Sequence, residues 1–357
     1  MHLRSNRRHR HHDATATRDG APVRYRPPVH SPVILPTPPS EPGLSWQHPT
    51  PDDADALARH TIRVDRAETL EHVVGADFLR WMMDQHDFDP ETEWLIGVDP
   101  LGEVMAEAGA WTQITHKGGR GFVWFETSPG WEPLKPFLLS WGEAVSRRRL
   151  EATPKGASRT LRCPVEEHRN AHRAVVEEAG WTAERSFVLM TRLLESPFTP
   201  TPAPAGVEVV GWSADLDDSV RLANNAAFAD HWGSLPMESE AWQDMYSRSD
   251  QFRPDLSYLA VDDGRVVSFC LIEIDEENNH LRGVREAYVN HVGTLREYRG
   301  RGVATHLIER SLQASAAVGM DRAALDVDET SHTNATEVYR RLGFSVSLRS
   351  IHYVKHP

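Results

Sequence analysis

The chain has 357 residues, 39% of them hydrophobic and 25% charged, and a formal net charge of −13. Those values suit a globular chain with room for two domains and argue against a general nucleic-acid-binding surface. No run approaches the roughly 18 apolar residues of a membrane-spanning helix, and no apolar core follows the basic N-terminal residues, so a secretory signal is not expected.

Residues 1–43 are rich in Pro, Arg and His and lack apolar periodicity, so they read as a disordered basic tail. Seven arginines against Asp13, Asp19 and Glu41 put the tail near +4 and leave the remainder near −17. His9–His12 (HRHH) has metal-binding residue types but reads as solvated tail; a nucleic-acid anchor is the alternative use of such a segment.

From Trp46 the pattern changes. Thr50–Asp65 opens with a cap-like Thr-Pro-Asp-Asp and continues at helical spacing, and 67–86 reads as a second helix. Trp94–Ile114 reads as strand, Asp-Pro-Leu-Gly turn and strand, and Gly121–Pro129 as a further strand. A helix over 133–149, a strand over Thr160–Val165, a helix over His168–Trp181 capped at Gly180, and a closing strand over Ser186–Leu194 complete a unit spanning 44–195. Residues 196–206 are a Pro-rich linker.

The segment 207–357 repeats this order at a period of about 160 residues. It reads as a strand over Val207–Trp212, helices near 215–228 and 238–247, and a hairpin over Leu256–Asp275 with an Asp-Asp-Gly turn. A strand over Glu286–Leu295, a helix over Gly302–Ala317, a strand over Arg322–Asp328, a helix over Asn334–Phe344 and a last strand over Ser345–His356 follow. The two cysteines, Cys163 and Cys270, lie outside any CxxC or Cys/His metal spacing, which suits buried thiols in a reducing, cytoplasmic compartment.

The strongest chemical signal is REYRGRGVATHLI, Arg296–Ile308. A strand ends, Arg299-Gly300-Arg301-Gly302-Val303-Ala304 makes a tight turn, and an amphipathic helix begins. Glycine removes Cβ atoms that would hold a ligand off the amides, and the helix N-terminus adds partial positive charge, so the segment reads as a pyrophosphate cradle. An ordinary turn is the competing reading. A Walker loop and the Rossmann fingerprint are excluded, since neither Gly-Lys-Ser/Thr nor G-x-G-x-x-G occurs here. Downstream, VYRRLGF (Val338–Phe344) sets Tyr339 on a helix that ends in Gly-Phe.

Arg299, Gly302 and Ala304 in an Arg/Gln-x-x-Gly-x-Gly/Ala pattern, followed by Tyr339 in a Tyr-x-x-x-Gly-Phe pattern, resemble the GCN5-related N-acetyltransferase (GNAT) family. The resemblance implies acetyl-CoA as co-substrate, its pyrophosphate on the segment Arg299, Gly300, Arg301, Gly302, Val303 and Ala304. It implies pantetheine held by backbone amides of the preceding strand, at Thr294 and Val292. Tyr339 would protonate the departing CoA thiolate, a role that suits a neutral phenol. Ser331 stands where the family often has a cofactor-contacting asparagine. No metal is implied.

The general base follows from strand alternation, which puts Glu286, Tyr288, Asn290, Val292 and Thr294 on one face. Glu286 is the expected base; Asn290 through a water, and Glu273 on the neighbouring hairpin, are alternatives. A merely ion-paired glutamate competes with each. FADHWG (Phe228–Gly233) joins two helices where the family builds its acceptor pocket, so Asp230, His231 and Trp232 could recognise an amine or simply cap and pack.

In the first unit the corresponding turn reads SPGWEPLKP (Ser128–Pro136), without the Arg/Gln pattern and with two prolines that remove amide donors. Val176 stands at the tyrosine position. This unit reads as a degenerate copy kept for packing or for shaping the acceptor site. The expected fold is therefore α/β (α+β): two tandem GNAT-like domains, each a mixed, mostly antiparallel central sheet flanked by helices. The expected activity is acetyl-CoA-dependent transfer to a primary amine of a small molecule or peptide by direct attack, in the cytoplasm, without metal, membrane or nucleic-acid partner. A catalytically silent acyl-CoA-binding regulatory or scaffold protein is the alternative. Monomer and homodimer both remain open.

Overall fold

The computed structural model describes residues 33–357 apart from 41–42, 72, 86–87, 116–117, 195–199, 230, 232–233 and 331–334. Most of the basic tail, HRHH included, and Asp230, Trp232 and Ser331 lie outside the described residues.

The first half runs β1 (Ser45–Gln47), α1 (Ala54–Glu68), α2 (Ala76–Asp84), α3 (Pro90–Glu93), β2 (Trp94–Val98), β3 (Val104–Thr115), β4 (Gly118–Thr127), α4 (Lys135–Leu150), β5 (Ser158–Glu166), α5 (Asn170–Glu178) and β6 (Thr182–Leu193). The second half repeats it. Its elements are β7 (Glu208–Gly211), α6 (Asp217–Ala227), α7 (Ser239–Trp242), β8 (Tyr258–Asp262), β9 (Arg265–Glu273), α8 (Glu276–Arg282), β10 (Glu286–Thr294), α9 (Val303–Ala317), β11 (Arg322–Asp328), α10 (Ala335–Arg341) and β12 (Ser345–Lys355).

The start of α1 follows its sequence. The Thr50 amide and hydroxyl both donate to Asp53 at 2.8 Å, and Pro51 takes a first-turn position whose amide would have no partner. The helix expected over 67–86 is instead broken: Thr69 and Glu71 both adopt φ 56°, and α2 begins only at Ala76. Its cap comes from the other half of the chain. Glu277, on α8, accepts from the amides of Ala76 (2.8 Å) and Asp77 (3.1 Å), supplying from 200 residues away what a local Ser or Asp usually supplies.

Among the described residues the strands join one 12-stranded sheet in the order β1-β2-β3-β4-β5-β12-β6-β11-β10-β9-β8-β7. The expectation that each unit is closed by its own last strand is corrected here. β6 pairs with β11 of the second half, and β12 pairs with β5 of the first, the two closing strands lying antiparallel to each other. The reason is burial. Val188 and Met190 of β6 are fully buried in the second-half core, while Tyr353 of β12 is buried in the first-half core. Each closing strand completes the other half, so neither half buries its core alone.

Two local irregularities position the site. β10 and β11 are parallel and paired only over Glu286–Tyr288, after which they diverge. The β9–β10 register also shifts between Val289 and His291, a bulge at Asn290. In the first half β4 and β5 likewise part after Phe122↔Arg162, but the β3–β4 ladder runs unbroken from Ala106↔Thr127 to Thr115↔Gly118.

Candidate active site

The bulge changes which side chains share a face. Tyr288 pairs with Glu273 before it, whereas Val292 pairs with Cys270 and Thr294 with Ser268 after it. Because the pleat has period two, the extra residue puts Glu286 and Tyr288 on one face and Val292 and Thr294 on the other. The single face read from alternation is therefore split, and His291 takes the place on the Tyr288 side that Val292 was expected to hold.

The same ladder aims the amides. Leu295 donates to the Val267 carbonyl at 2.9 Å. Antiparallel alternation then turns the amides of Gly293 and His291 toward β9, and those of Thr294 and Val292 into the gap between β10 and β11. The Thr294 hydroxyl is occupied by Ser268 (2.8 Å).

The gap ends at the glycine turn. Gly300 and Gly302 take φ 73° and 78°, and Gly302 is the N-cap of α9, whose first turn holds no acidic residue. A Cβ at Gly302 would meet nothing within 4 Å, so the glycine is required by its left-handed backbone and by open space before the helix N-terminus. Val303 is buried in the core while Ala304 is only half-buried. Arg299 is spent on the scaffold: Nε donates to the Thr294 carbonyl (3.1 Å) and Nη2 to the Ala227 carbonyl (2.8 Å), tying the ends of β10 and α6 to the turn. The Arg301 guanidinium lies 5.1 Å from the Tyr298 ring centroid.

Tyr339 stands on α10 with its ring edge-on to Phe344 (6.0 Å, 71°). It lies within electrostatic reach of Cys270, the register partner of Val292. Burial, with Cys270 adding, pushes its phenol above the ordinary value, so it stays protonated at neutral pH. Cys163 and Cys270 are buried free thiols, and burial pushes Cys270 up to about 12, which leaves it inert as a nucleophile.

Glu286 is held in ion pairs with Arg322 and, at 3.4 Å, Arg282. Glu273 is different. Burial first, and the charge of Asp275, push its carboxyl up to about 7 against the opposing hydrogen bond from Asn290 in the bulge. Around it stand Tyr288, which donates to Asp326 at 2.6 Å, and Tyr246, whose hydroxyl lies 3.4 Å from His291 Nδ1. Burial lowers His291 to about 4, so its imidazole is neutral. Phe228 packs beside it (5.2 Å), and His231 packs on Phe228 (5.5 Å). Asn225 exchanges two 2.9 Å hydrogen bonds with the Met237 backbone, bracing the α6–α7 connection above this wall.

One contributor has no signal in its local sequence. Arg120 belongs to β4 in the first half, yet its charge acts on the Tyr246 phenol. A first-half charge is thus felt at Tyr246, beside His291, in the second half.

The first-half gap is filled by the protein itself. Arg169 lies where β4 and β5 diverge and bonds Glu68, Glu126 (2.6 and 2.9 Å) and Glu166 (3.1 Å). Lys135, at the start of α4, pairs with Glu68 at 3.1 Å, and Glu132 takes the Gly130 amide at 2.9 Å. Carboxylates of the chain thus occupy the place of an anionic ligand. Arg169→Ala would leave three carboxylates facing one another. It is expected to cost about 3–5 kcal/mol of stability, read as a lowered Tm; a shift under about 2 °C would show the cluster to be solvated.

Among the described residues no helix is long and apolar enough to cross a membrane, and no cluster of three or more His, Cys, Asp or Glu could hold a metal.

Residues 219–344 match the acetyltransferase (GNAT) family. The chain is 32% identical over 195 residues to a mycothiol acetyltransferase of Mycolicibacterium vanbaalenii, covering 51% of this chain and 60% of that protein. A mycothiol acetyltransferase of Mycolicibacterium gilvum is 28% identical over 329 residues, covering 87% of this chain and 97% of its own length. Among solved structures, a GCN5-related N-acetyltransferase from Sphaerobacter thermophilus superposes with a TM-score of 0.72 at 24% identity, covering 88% of this chain and 95% of that one. A tandem GNAT protein from the clavulanic acid biosynthesis pathway gives 0.63 at 14%, covering 88% and 98%. These last two are likenesses of fold. With the Arg299–Ala304 turn inside it, the segment 219–344 is a GNAT-family domain, and the same order of elements is repeated in the first half of the chain.

Proposed function

We propose that the chain transfers the acetyl group of acetyl-CoA to the primary amine of a small molecule by direct attack. One observation carries the reading. Along β10 the register meets Glu273 at Tyr288, then Cys270, within electrostatic reach of Tyr339, at Val292, then Thr294 and the glycine turn. That is the order in which base, acid, thioester arm and pyrophosphate must be met. The relatives named mycothiol acetyltransferase support a small-molecule acceptor.

In this reading the amides from Gly300 to Ala304 hold pyrophosphate, and those of Thr294 and Val292 hold the pantetheine arm. Glu273 takes a proton from the acceptor ammonium, directly or through a water on Asn290. The base role passes to it from Glu286, whose carboxylate is committed to Arg322 and Arg282. The free amine attacks the thioester carbonyl, and the Val292 amide bears the developing charge on oxygen. Tyr339 gives its proton to the CoA thiolate and is restored by the proton that the new amide nitrogen loses, while Glu273 releases the one it took to solvent.

The sign of the pH dependence follows from the raised Glu273. Its ionised form is the active one, so kcat/KM falls as pH drops through about 7. CoA release across a pH series with an amine panel tests this. Glu273→Gln is expected to lower the rate about 10²–10⁴-fold and to erase that limb. An intact limb in the variant would place the base elsewhere.

A further inference from the structure

The helix that carries Tyr339 is closed by a residue of the other half. At the end of α10 the Phe344 amide donates to the Tyr339 carbonyl (3.0 Å) and the Gly343 amide to the Arg340 carbonyl (2.9 Å), with Gly343 at φ 83° and the Tyr339 ring against Phe344. That is a Schellman ending, anchored on Tyr339 through both its carbonyl and its ring. Such an ending supplies no amide to the next carbonyls, and the Leu342 carbonyl is taken by Arg192, whose Nη1 donates to it. A Cβ at Gly343 would lie 3.5 Å from Arg192 Nε, so the guanidinium also runs beside the left-handed glycine. Its charge suits the negative end of the helix.

Arg192 arrives there because the closing strands are exchanged. The β6–β11 ladder runs unbroken from Phe187↔Asp328 to Leu193↔Arg322, so Arg192 shares a face with Val188 and Met190, which lie in the second-half core. The first half holds the same arrangement. α5 ends with the Trp181 amide on the Val176 carbonyl (3.2 Å) and the Gly180 amide on the Glu177 carbonyl (2.9 Å), Gly180 takes φ 80°, and Lys355 Nζ, from β12, donates to the Ala179 carbonyl at 2.9 Å. Ala179 and Leu342 each precede the glycine, and Arg192 and Lys355 stand equally far beyond the aromatic that follows it, Trp181 or Phe344. The two halves differ in what the helix carries. α5 has Val176 at the place of Tyr339, and Lys355 is also paired with Glu143 at 2.9 Å. α10 has only seven residues, and Tyr339 lies in its last turn, the part of a short helix that frays first. We propose that Arg192 is a positioning residue for the reaction: by closing α10 it fixes how Tyr339 presents its hydroxyl to the departing thiolate, so a first-half side chain serves the second half's chemistry. This rests on the acetyltransferase reading and on Tyr339 as its acid.

The test uses the full chain and measures CoA release from acetyl-CoA with an amine panel and with water as the default acceptor. Arg192→Gln and Arg192→Met, which keep most of the stem, are each expected to lower kcat about tenfold or more, while the Kd for acetyl-CoA by calorimetry stays within about threefold of wild type. Neither should lower kcat further in a Tyr339→Phe chain, because Arg192 acts through the phenol. Arg192→Lys should recover most of the rate, since Lys355 reaches the equivalent carbonyl from the equivalent place. Lys355→Gln removes the other cap and should leave kcat within about threefold of wild type. Wild-type rates in the Arg192 variants, an equal further loss in the Tyr339→Phe chain, a lysine no better than glutamine, a Lys355→Gln as slow as Arg192→Gln, or loss of acetyl-CoA binding in both Arg192→Gln and Arg192→Met each overturn the positioning role alone. A Tyr339→Phe chain at the wild-type rate removes the acid, and a wild-type chain that binds no acetyl-CoA removes the acetyltransferase reading; either takes this inference with it.

Discussion

Gly302→Glu is expected to abolish acetyl-CoA binding, against one site per chain in the wild type. Gly302 holds φ 78° as the N-cap of a 15-residue helix, a conformation that costs a residue with a Cβ about 1–2 kcal/mol. The glutamate adds a side chain where a Cβ now meets nothing within 4 Å, and sets a negative charge before the amides proposed to receive pyrophosphate. Strain and repulsion together should weaken Kd at least about 100-fold, since each 1.4 kcal/mol is a factor of ten. Gly302→Ala carries the strain without the charge and should weaken binding about tenfold or less. Calorimetry on the three chains decides it. Binding retained in Gly302→Glu would move the ligand away from this turn; two sites in the wild type would mean that the first-half gap opens despite Arg169.

Tyr339→Phe is expected to lower kcat about 10²–10⁴-fold while leaving the Kd for acetyl-CoA nearly unchanged. The ring that packs on Phe344 and the second-half core is kept and only the hydroxyl is lost, so folding should survive. Because burial raises the phenol, the acid form persists to higher pH than in a free tyrosine. The wild type should therefore show no alkaline loss of kcat below about pH 10. A variant within about threefold of wild type would show that solvent, and not Tyr339, protonates the thiolate.

The two parts of the candidate site to which the sequence points are both local. The turn Arg299–Ala304 is written in consecutive residues, because a glycine with positive φ and a helix start are decided by the chain's own neighbours. Tyr339 is set by its place in a short helix ending at Gly343, which takes φ 83°. The proposed base was not legible in this way. Glu286 and Glu273 are both strand glutamates, and only the fold shows that Arg322, 36 positions on, engages the first while burial beside Asn290 raises the second. No glycine or proline at Asn290 announces the bulge, so simple alternation runs through it and misassigns every side chain beyond.

By itself, then, the sequence determined the order of elements, the repeat, the glycine turn at a helix N-terminus and the loss of that turn in the first half. All of these follow from residue type and spacing over a few positions. The tertiary structure alone decided three other things: that β6 and β12 each complete the opposite half, that Arg169 plugs the N-terminal gap, and that the charge of Arg120 is felt at Tyr246. A strand's alternation shows that one face will be buried but not against which edge or core. Nor does a charged residue's identity show which distant group will meet it once both have left water.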